Sequence, residues 1–250
     1  MVWVFRGKSR SGATTTVINQ NLVAADPNAW IGMDVAAVSV ALDWRARTRV
    51  QQELATLARK GTADNLKLLS LLSRSSRLLL DERDSWIYAG VRNFTQGSTQ
   101  SAEANFRATA AEFRTRFRRE LVRSTDGKKS EQAAPDLTPL AREGTGVAVV
   151  TVVLAARDEI VDVLDKPDAA AVAALLLEIC ALPFDRFVAF EVIWSPAADA
   201  DRMSSAELEL FYPELVKLES PIRVGTVACA HCRARFAAEL GKCPECGAPL

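Results

Sequence analysis

Eleven consecutive residues, Gly146–Ala156 (GVAVVTVVLAA), carry no charge and are dominated by valine. Valine is stiff at χ1 and packs well on a pleated surface, so the run favours a strand over a helix. Its apolar residues fall on both alternating faces, and both faces must therefore be shielded from water. That predicts a central strand with structure packed above and below it. A chain containing such a strand is restricted to a layered arrangement of sheet and helix.

The flanking segments supply the rest of the layers. Phe187–Trp194 is rich in aromatic and β-branched residues and reads as a largely buried strand, stopped at Ser195-Pro196 because proline has no N–H for a ladder. Ser204 followed by Glu207 is a capping box that opens a short helix, which Pro213 closes. Asp34–Leu42 and Trp86–Phe94 read as two further strands, with Gly90 marking a close backbone approach or a bulge. Val2–Phe5 and Thr14–Val23 are candidate short strands.

Four longer helices are expected. One runs from about Asp43 to Lys60 with Ala46, Val50, Leu54 and Leu57 on one face, and Gly61 stops it. A second, capped by Thr62, runs to Leu80 with Leu66, Leu69, Leu72 and Leu79 as its buried stripe and Ser70, Ser73, Ser75 and Ser76 on the other side. A third follows the turn at Gln96–Thr99 and buries Phe106, Ala110, Phe113, Phe117 and Leu121 beneath a solvated arginine-rich exterior. Pro167 suits the first position of a fourth, which reaches about Ala181. Residues 124–145 have no period and read as a mobile loop. The fold class expected is α+β, or α/β layered, with one sheet of at least four strands. The organisation expected is an N-terminal segment over 1–32, the layered domain over 33–220 and a small ribbon over 221–250.

Formal net charge is zero, so no bulk field draws the chain to nucleic acid or to an anionic membrane. The charge is nevertheless segregated. Residues 91–130 carry nine Lys/Arg against four Asp/Glu, and residues 155–220 carry five against fourteen. The simplest reading is that the two stretches face each other within the fold or across a dimer; a basic surface for an acidic partner is the sharper one. No run reaches the roughly 18 apolar residues of a membrane span. Met1–Phe5 precedes its basic residues, which is the wrong order for a secretory signal.

Four of the five cysteines form two CxxC pairs, Cys229/Cys232 and Cys243/Cys246. This is metal-ligand spacing and not a disulfide ladder, which points to a reducing, cytoplasmic setting. Two such knuckles can wrap four thiolates tetrahedrally around one Zn²⁺ at about 2.3 Å. The ten residues between them suffice for a hairpin that places Phe236 and Leu240 under the metal. Gly247 permits the positive φ of a tight knuckle turn. With four cysteine ligands no coordination position stays open, so the zinc expected is structural. His231, the only histidine, lies inside the first knuckle, and a hydrolase that needs a histidine base has none elsewhere. Cys180 in its apolar helix reads as a buried, inert thiol. Gly7-Lys8-Ser9 lacks the glycine five positions upstream that a phosphate loop requires, because Val2 stands there.

Five segments taken in order, Val35–Ala58, Ser85–Phe94, Ser101–Phe117, Val147–Ala156 and Phe187–Leu215, resemble the family of domains of unknown function numbered 1517. Photosynthetic members of that family look membrane-associated through a glycine-rich apolar segment, which this sequence lacks. The resemblance implies no catalytic residues, so no catalytic or organic-cofactor site is assigned. The function expected is a non-enzymatic interaction or assembly module that docks a protein partner through a zinc ribbon, with self-association as a further option. The alternatives are an enzyme using carboxylate chemistry, and nucleic-acid binding through the ribbon and the arginine-rich helix. The second is disfavoured because the aromatics of that helix face inward.

Overall fold

The computed structural model describes residues 14–18, 32–59, 65–125, 146–157, 159–160, 166–196, 203–218, 226–237 and 242–249. Its centre is a six-stranded sheet in the order β1-β5-β4-β2-β3-β6. The strands are β1 (Thr14–Ile18), β2 (Met33–Leu42), β3 (Trp86–Gln96), β4 (Ala148–Arg157), β5 (Phe187–Ser195) and β6 (Val216–Lys217). Every pairing is antiparallel, so of the two architectures expected the chain adopts α+β.

The valine-rich run is β4, held between β2 and β5. Its residues divide by parity. Val149, Val153 and Ala155 join one buried cluster, whereas Val150, Val152, Leu154 and Ala156 join another on the opposite face. Every residue of β2 is buried as well. An antiparallel sheet usually leaves one face wet; here helices cover both, which explains why β2 and β4 read as unbroken apolar runs.

On one face lie α1 (Trp44–Arg59), α2 (Asn65–Asp81) and α4 (Ala169–Cys180), and on the other α3 (Thr99–Thr125) and α5 (Ser205–Phe211). Helix α1 buries the expected Ala46, Val50, Leu54 and Leu57. Helix α3 buries Phe106, Ala110 and Phe113 against the sheet, above a hydroxyl pair, Ser39 and Thr151, 2.8 Å apart. The capping box of α5 is complete: Ser204 accepts from the Glu207 N–H at 3.0 Å, and the Glu207 carboxylate accepts from the Ser204 N–H at 2.9 Å. Close approach explains Gly90, where a Cβ would lie 2.7 Å from Leu215 Cδ2.

Several sequence expectations are corrected. Leu66 is 64% exposed, and the buried stripe of α2 runs through Leu68, Leu71, Leu72, Leu78 and Leu79. Ser75 and Ser76 lie within that face, not opposite it. Ser73 donates its hydroxyl to the Cys180 carbonyl at 3.2 Å and accepts the Cys180 thiol at its own carbonyl at 3.4 Å, so Ser73 ties α2 to α4. Helix α4 begins two residues after Pro167, because the Asp168 carboxylate takes the N-cap by accepting from the Ala171 N–H at 2.7 Å. Helix α3 extends through Thr125, into what read as loop. Of the two candidate N-terminal strands, β1 realises Thr14–Ile18, while Val2–Phe5 lies outside the described residues, as do Gly7-Lys8-Ser9, Gly61, Thr62 and 126–145. No helix among the described residues is long and apolar enough to cross a membrane.

Candidate metal centre

The four ribbon cysteines are carried by two turns that repeat one backbone design. A short hairpin, β7 (Thr226–Ala228) with β8 (Arg235–Ala237), leads into and out of the first turn. In that turn the Cys229 N–H donates to the Ala234 carbonyl at 2.9 Å and the Arg233 N–H donates to the Cys229 carbonyl at 3.0 Å. In the second, the Cys243 N–H donates to Ala248 and the Gly247 N–H to Cys243, each at 2.7 Å. Both turns need a left-handed residue four positions after the leading cysteine. Gly247 supplies it at φ 72°, as expected, and Arg233 supplies it at φ 62°.

The folded knuckles bring the Sγ atoms of Cys229, Cys232, Cys243 and Cys246 within 4.8 Å of one another. Cys229 and Cys243 are buried, and Cys232 and Cys246 are exposed. Across the knuckles Cys229 Sγ lies 3.5 Å from Cys246 Sγ, and Cys232 Sγ lies 3.5 Å from Cys243 Sγ. Ala234 and Ala248 pack against the two buried cysteines. The side chains of Phe236 and Leu240, expected under the metal, lie outside what is described. His231 is exposed and gives only its backbone N–H to Cys229 Sγ, at 3.4 Å; its ring is not in the donor group.

Without a cation Cys229, Cys232 and Cys246 do not ionise evenly. The Cys232 N–H, followed by the His231 N–H and the Cys246 and Cys243 side chains, overcomes burial and lowers Cys229 to about 6. The Ala234 N–H lowers Cys232, but its neighbours Cys243, Cys246 and Cys229, together with burial, outweigh that and push it up to about 12. Cys246 is likewise raised: the Ala248 N–H lowers it, but Cys229, burial and Cys243 prevail. One thiolate therefore obliges Cys232 and Cys246 to keep their protons. A dication at the centre reverses that order by stabilising every negative sulfur at once. The donor set, four soft sulfurs in reach of one point, could hold a metal ion.

Elsewhere ionisable groups tie neighbouring elements together. Glu191 on β5 is fully buried and pairs with Arg114 of α3 at 3.2 Å. Arg116 pairs with Glu214 and Glu112, and Arg92 donates to Glu112 at 2.8 and 3.1 Å. Both guanidiniums lie over the Phe113 ring, Arg92 at 5.3 Å and Arg116 at 4.7 Å, and Arg116 also covers Tyr212. This clamp, which joins α3, β3 and the turn after α5, corrects the solvated exterior expected for α3. Its sequence signal was the charge segregation: Arg114 and Arg116 come from the basic stretch, Glu191 and Glu214 from the acidic one. Asp34, also fully buried, accepts from the Ile160 N–H at 2.8 Å and from Asn93 at 3.1 Å. Cys180 is half-buried, and burial raises its thiol, which fits an inert side chain. The carboxylates at 162, 165, 199 and 201 lie outside the described residues.

Comparison with known proteins places this fold in a family. Protein FLAP1 homolog A from Synechocystis sp. is 24% identical over 201 residues, covering 77% of this chain and 59% of the relative. The chain thus spans about three fifths of that curated relative's length. No solved structure matches. A family model described as a protein of unknown function, DUF1517, matches residues 32–218. That span starts just before β2, ends just after β6 and stops short of the cysteine knuckles. The chain belongs to the DUF1517 family, and its four-cysteine ribbon lies beyond the part the family shares.

Proposed function

We propose that the chain is a non-enzymatic interaction or assembly module in which Cys229, Cys232, Cys243 and Cys246 bind one structural Zn²⁺ and the ribbon so formed docks a protein partner. The observation that supports this reading is the cysteine tetrad: four Sγ atoms lie within 4.8 Å of one another, so around a bound ion they would fill a tetrahedral shell and leave no position for substrate. Zinc suits the donors, since thiolate softness and tetrahedral geometry favour it over magnesium or calcium. The exposed rim of the knuckles, with His231, Arg233, Pro244 and Glu245, offers the partner a small, mixed-charge surface. Support for a non-enzymatic role comes from the interior acids: Glu191 is paired with Arg114 of α3, and Asp34 accepts from Asn93 of the adjacent strand and from the Ile160 N–H. Nucleic-acid binding is the weaker reading because Arg114 and Arg116 of α3 are committed to carboxylates.

Elemental analysis of the 250-residue chain, purified under reducing conditions, tests the metal. One zinc per chain is expected, falling below about a tenth of that in Cys243→Ser, since a lost thiolate opens the shell. Cross-linking capture should then recover a partner with the wild-type chain and not with Cys229→Ser/Cys243→Ser. Metal-free wild type, or equal recovery by the double variant, would overturn the proposal.

A further inference from the structure

The cysteine tetrad is uneven in what it shows to solvent. Each knuckle buries its first cysteine, Cys229 or Cys243, and exposes its second, Cys232 or Cys246. Both sulfur contacts at 3.5 Å run between the knuckles, and each joins an exposed sulfur to a buried one: Cys246 to Cys229, and Cys232 to Cys243. A dissolved oxidant reaches an exposed sulfur first. Here each exposed sulfur touches a sheltered one. That is the placement of an attacked thiol and its resolving thiol, and it occurs twice.

The direction of the pairing matters to the ribbon. The Arg233 N–H closes the first turn on the Cys229 carbonyl, and the Gly247 N–H closes the second on the Cys243 carbonyl. These hydrogen bonds lie within one turn each, so sulfur bonds between the turns leave them in place. Bonds across the knuckles would link residues 17 and 11 positions apart and fasten one turn to the other. Bonds inside each CxxC pair would leave the two turns unconnected. Cys180 is a comparison within the same chain: its thiol donates to the Ser73 carbonyl at 3.4 Å, and it lies outside the tetrad.

On the zinc reading proposed above, we infer that the tetrad is a peroxide-responsive switch, which oxidation closes as two disulfides, Cys229–Cys246 and Cys232–Cys243, with release of the ion. In each pair the exposed sulfur attacks hydrogen peroxide; a sulfur–oxygen bond forms, the oxygen–oxygen bond breaks and hydroxide leaves. The buried sulfur then attacks the oxidised one, which forms the disulfide and expels a second hydroxide. Two electrons pass from the pair to one peroxide, and both hydroxides take protons from solvent as water. Two peroxides thus consume all four thiolates, and no ligand is left for the ion.

Titration of the zinc-supplemented, reduced 250-residue chain with hydrogen peroxide tests this. A chromophoric indicator reads free zinc, and peptide mass spectrometry after thiol blocking reads the bonds. About one zinc should be freed for every two peroxides consumed. Trypsin should leave residues 224–233 joined to 243–250 by two disulfides, and fragmentation between the cysteines of each peptide should assign Cys229 to Cys246 and Cys232 to Cys243. Cys180 should stay a thiol. Exchange protection at the Cys243 and Gly247 amides should survive oxidation, and dithiothreitol with zinc should restore the starting state. In Cys229→Ser, Cys246 loses its resolving sulfur and should accumulate sulfinic acid by at least about fivefold over wild type. Zinc counted before peroxide is added tests the metal reading alone; the bond map is read whatever that count is, so the two fail separately. Disulfides within Cys229/Cys232 and Cys243/Cys246, disulfides only between chains, or sulfinic acid at Cys232 and Cys246 of the wild type in place of disulfides would each overturn the inference.

Discussion

Two residues in left-handed backbone show how one conformation can favour opposite substitutions. Gly146, at φ 91°, precedes the bridge between Val147 and Met203, in which the Val147 N–H donates to the Met203 carbonyl at 2.8 Å. A Cβ there would lie 2.6 Å from the Met203 carbonyl oxygen, which is backbone and cannot swing aside. Gly146→Ala combines that clash with the left-handed penalty and should cost about 2–3 kcal/mol, read from the urea midpoint. An unchanged midpoint would mean that the lead-in to α5 is not fastened at this point. Arg233 has the same backbone hand with an exposed side chain. Its counterpart in the second knuckle is Gly247, where a Cβ would meet nothing within 4 Å. Arg233→Gly should therefore relieve strain and tighten zinc about two- to fivefold, a gain of about 0.5–1 kcal/mol after the greater freedom of unfolded glycine is set against it. Competition against a chromophoric chelator measures this, and weaker binding would show that the arginine itself contributes to the knuckle.

At the scale of elements, the clamp over α3 makes stability depend on acid. Glu112 is held below its usual 4.5, first by the Arg92 hydrogen bond, with burial opposing and Arg116 adding to it. A carboxyl whose folded value is depressed contributes its stability above the unfolded value and loses it as pH falls through the folded one. Glu112→Gln should thus melt below wild type at pH 7, by on the order of 0.5 kcal/mol because solvent screens the pair. The gap should close below about pH 4, and a gap that is constant down to pH 3 would remove Glu112 from the clamp. Whether an element could be read in the sequence follows from the kind of interaction that sets it. Local chemistry was legible: the Ser204/Glu207 box, the Cys229–Cys246 spacing and the two-faced apolar runs of β2 and β4 depend on residues near in sequence. The buried face of α2 was not, because it is set by packing against α4, about a hundred residues away, where Ser73 meets Cys180. Arg114 was misread for the same reason, since periodicity cannot show that a buried glutamate waits on β5.

At the scale of the molecule, the two halves of the sheet core and the ribbon stand on different physics. The clusters on the two sheet faces share β2, β3, β4 and β5, so loss of packing on one face exposes the strands that support the other. Their melting should be cooperative. The ribbon cluster, among the described residues, consists of Cys229 and Cys243 with two flanking alanines. Those side chains alone offer too little apolar surface to offset chain entropy, so on the proposed reading a bound metal would provide the folding free energy. Removing it with a strong chelator under reducing conditions should abolish exchange protection at the Cys243 and Gly247 amides, whose hydrogen bonds close the second knuckle. The amides of Val38 and Val152, at the centre of the sheet, should keep theirs. The main thermal transition should move by less than about 2 °C, because a protein of this size shifts by roughly that much for each kcal/mol. A fall of about 8 °C or more would mean that the ribbon bears on the sheet and that its metal stabilises the whole chain.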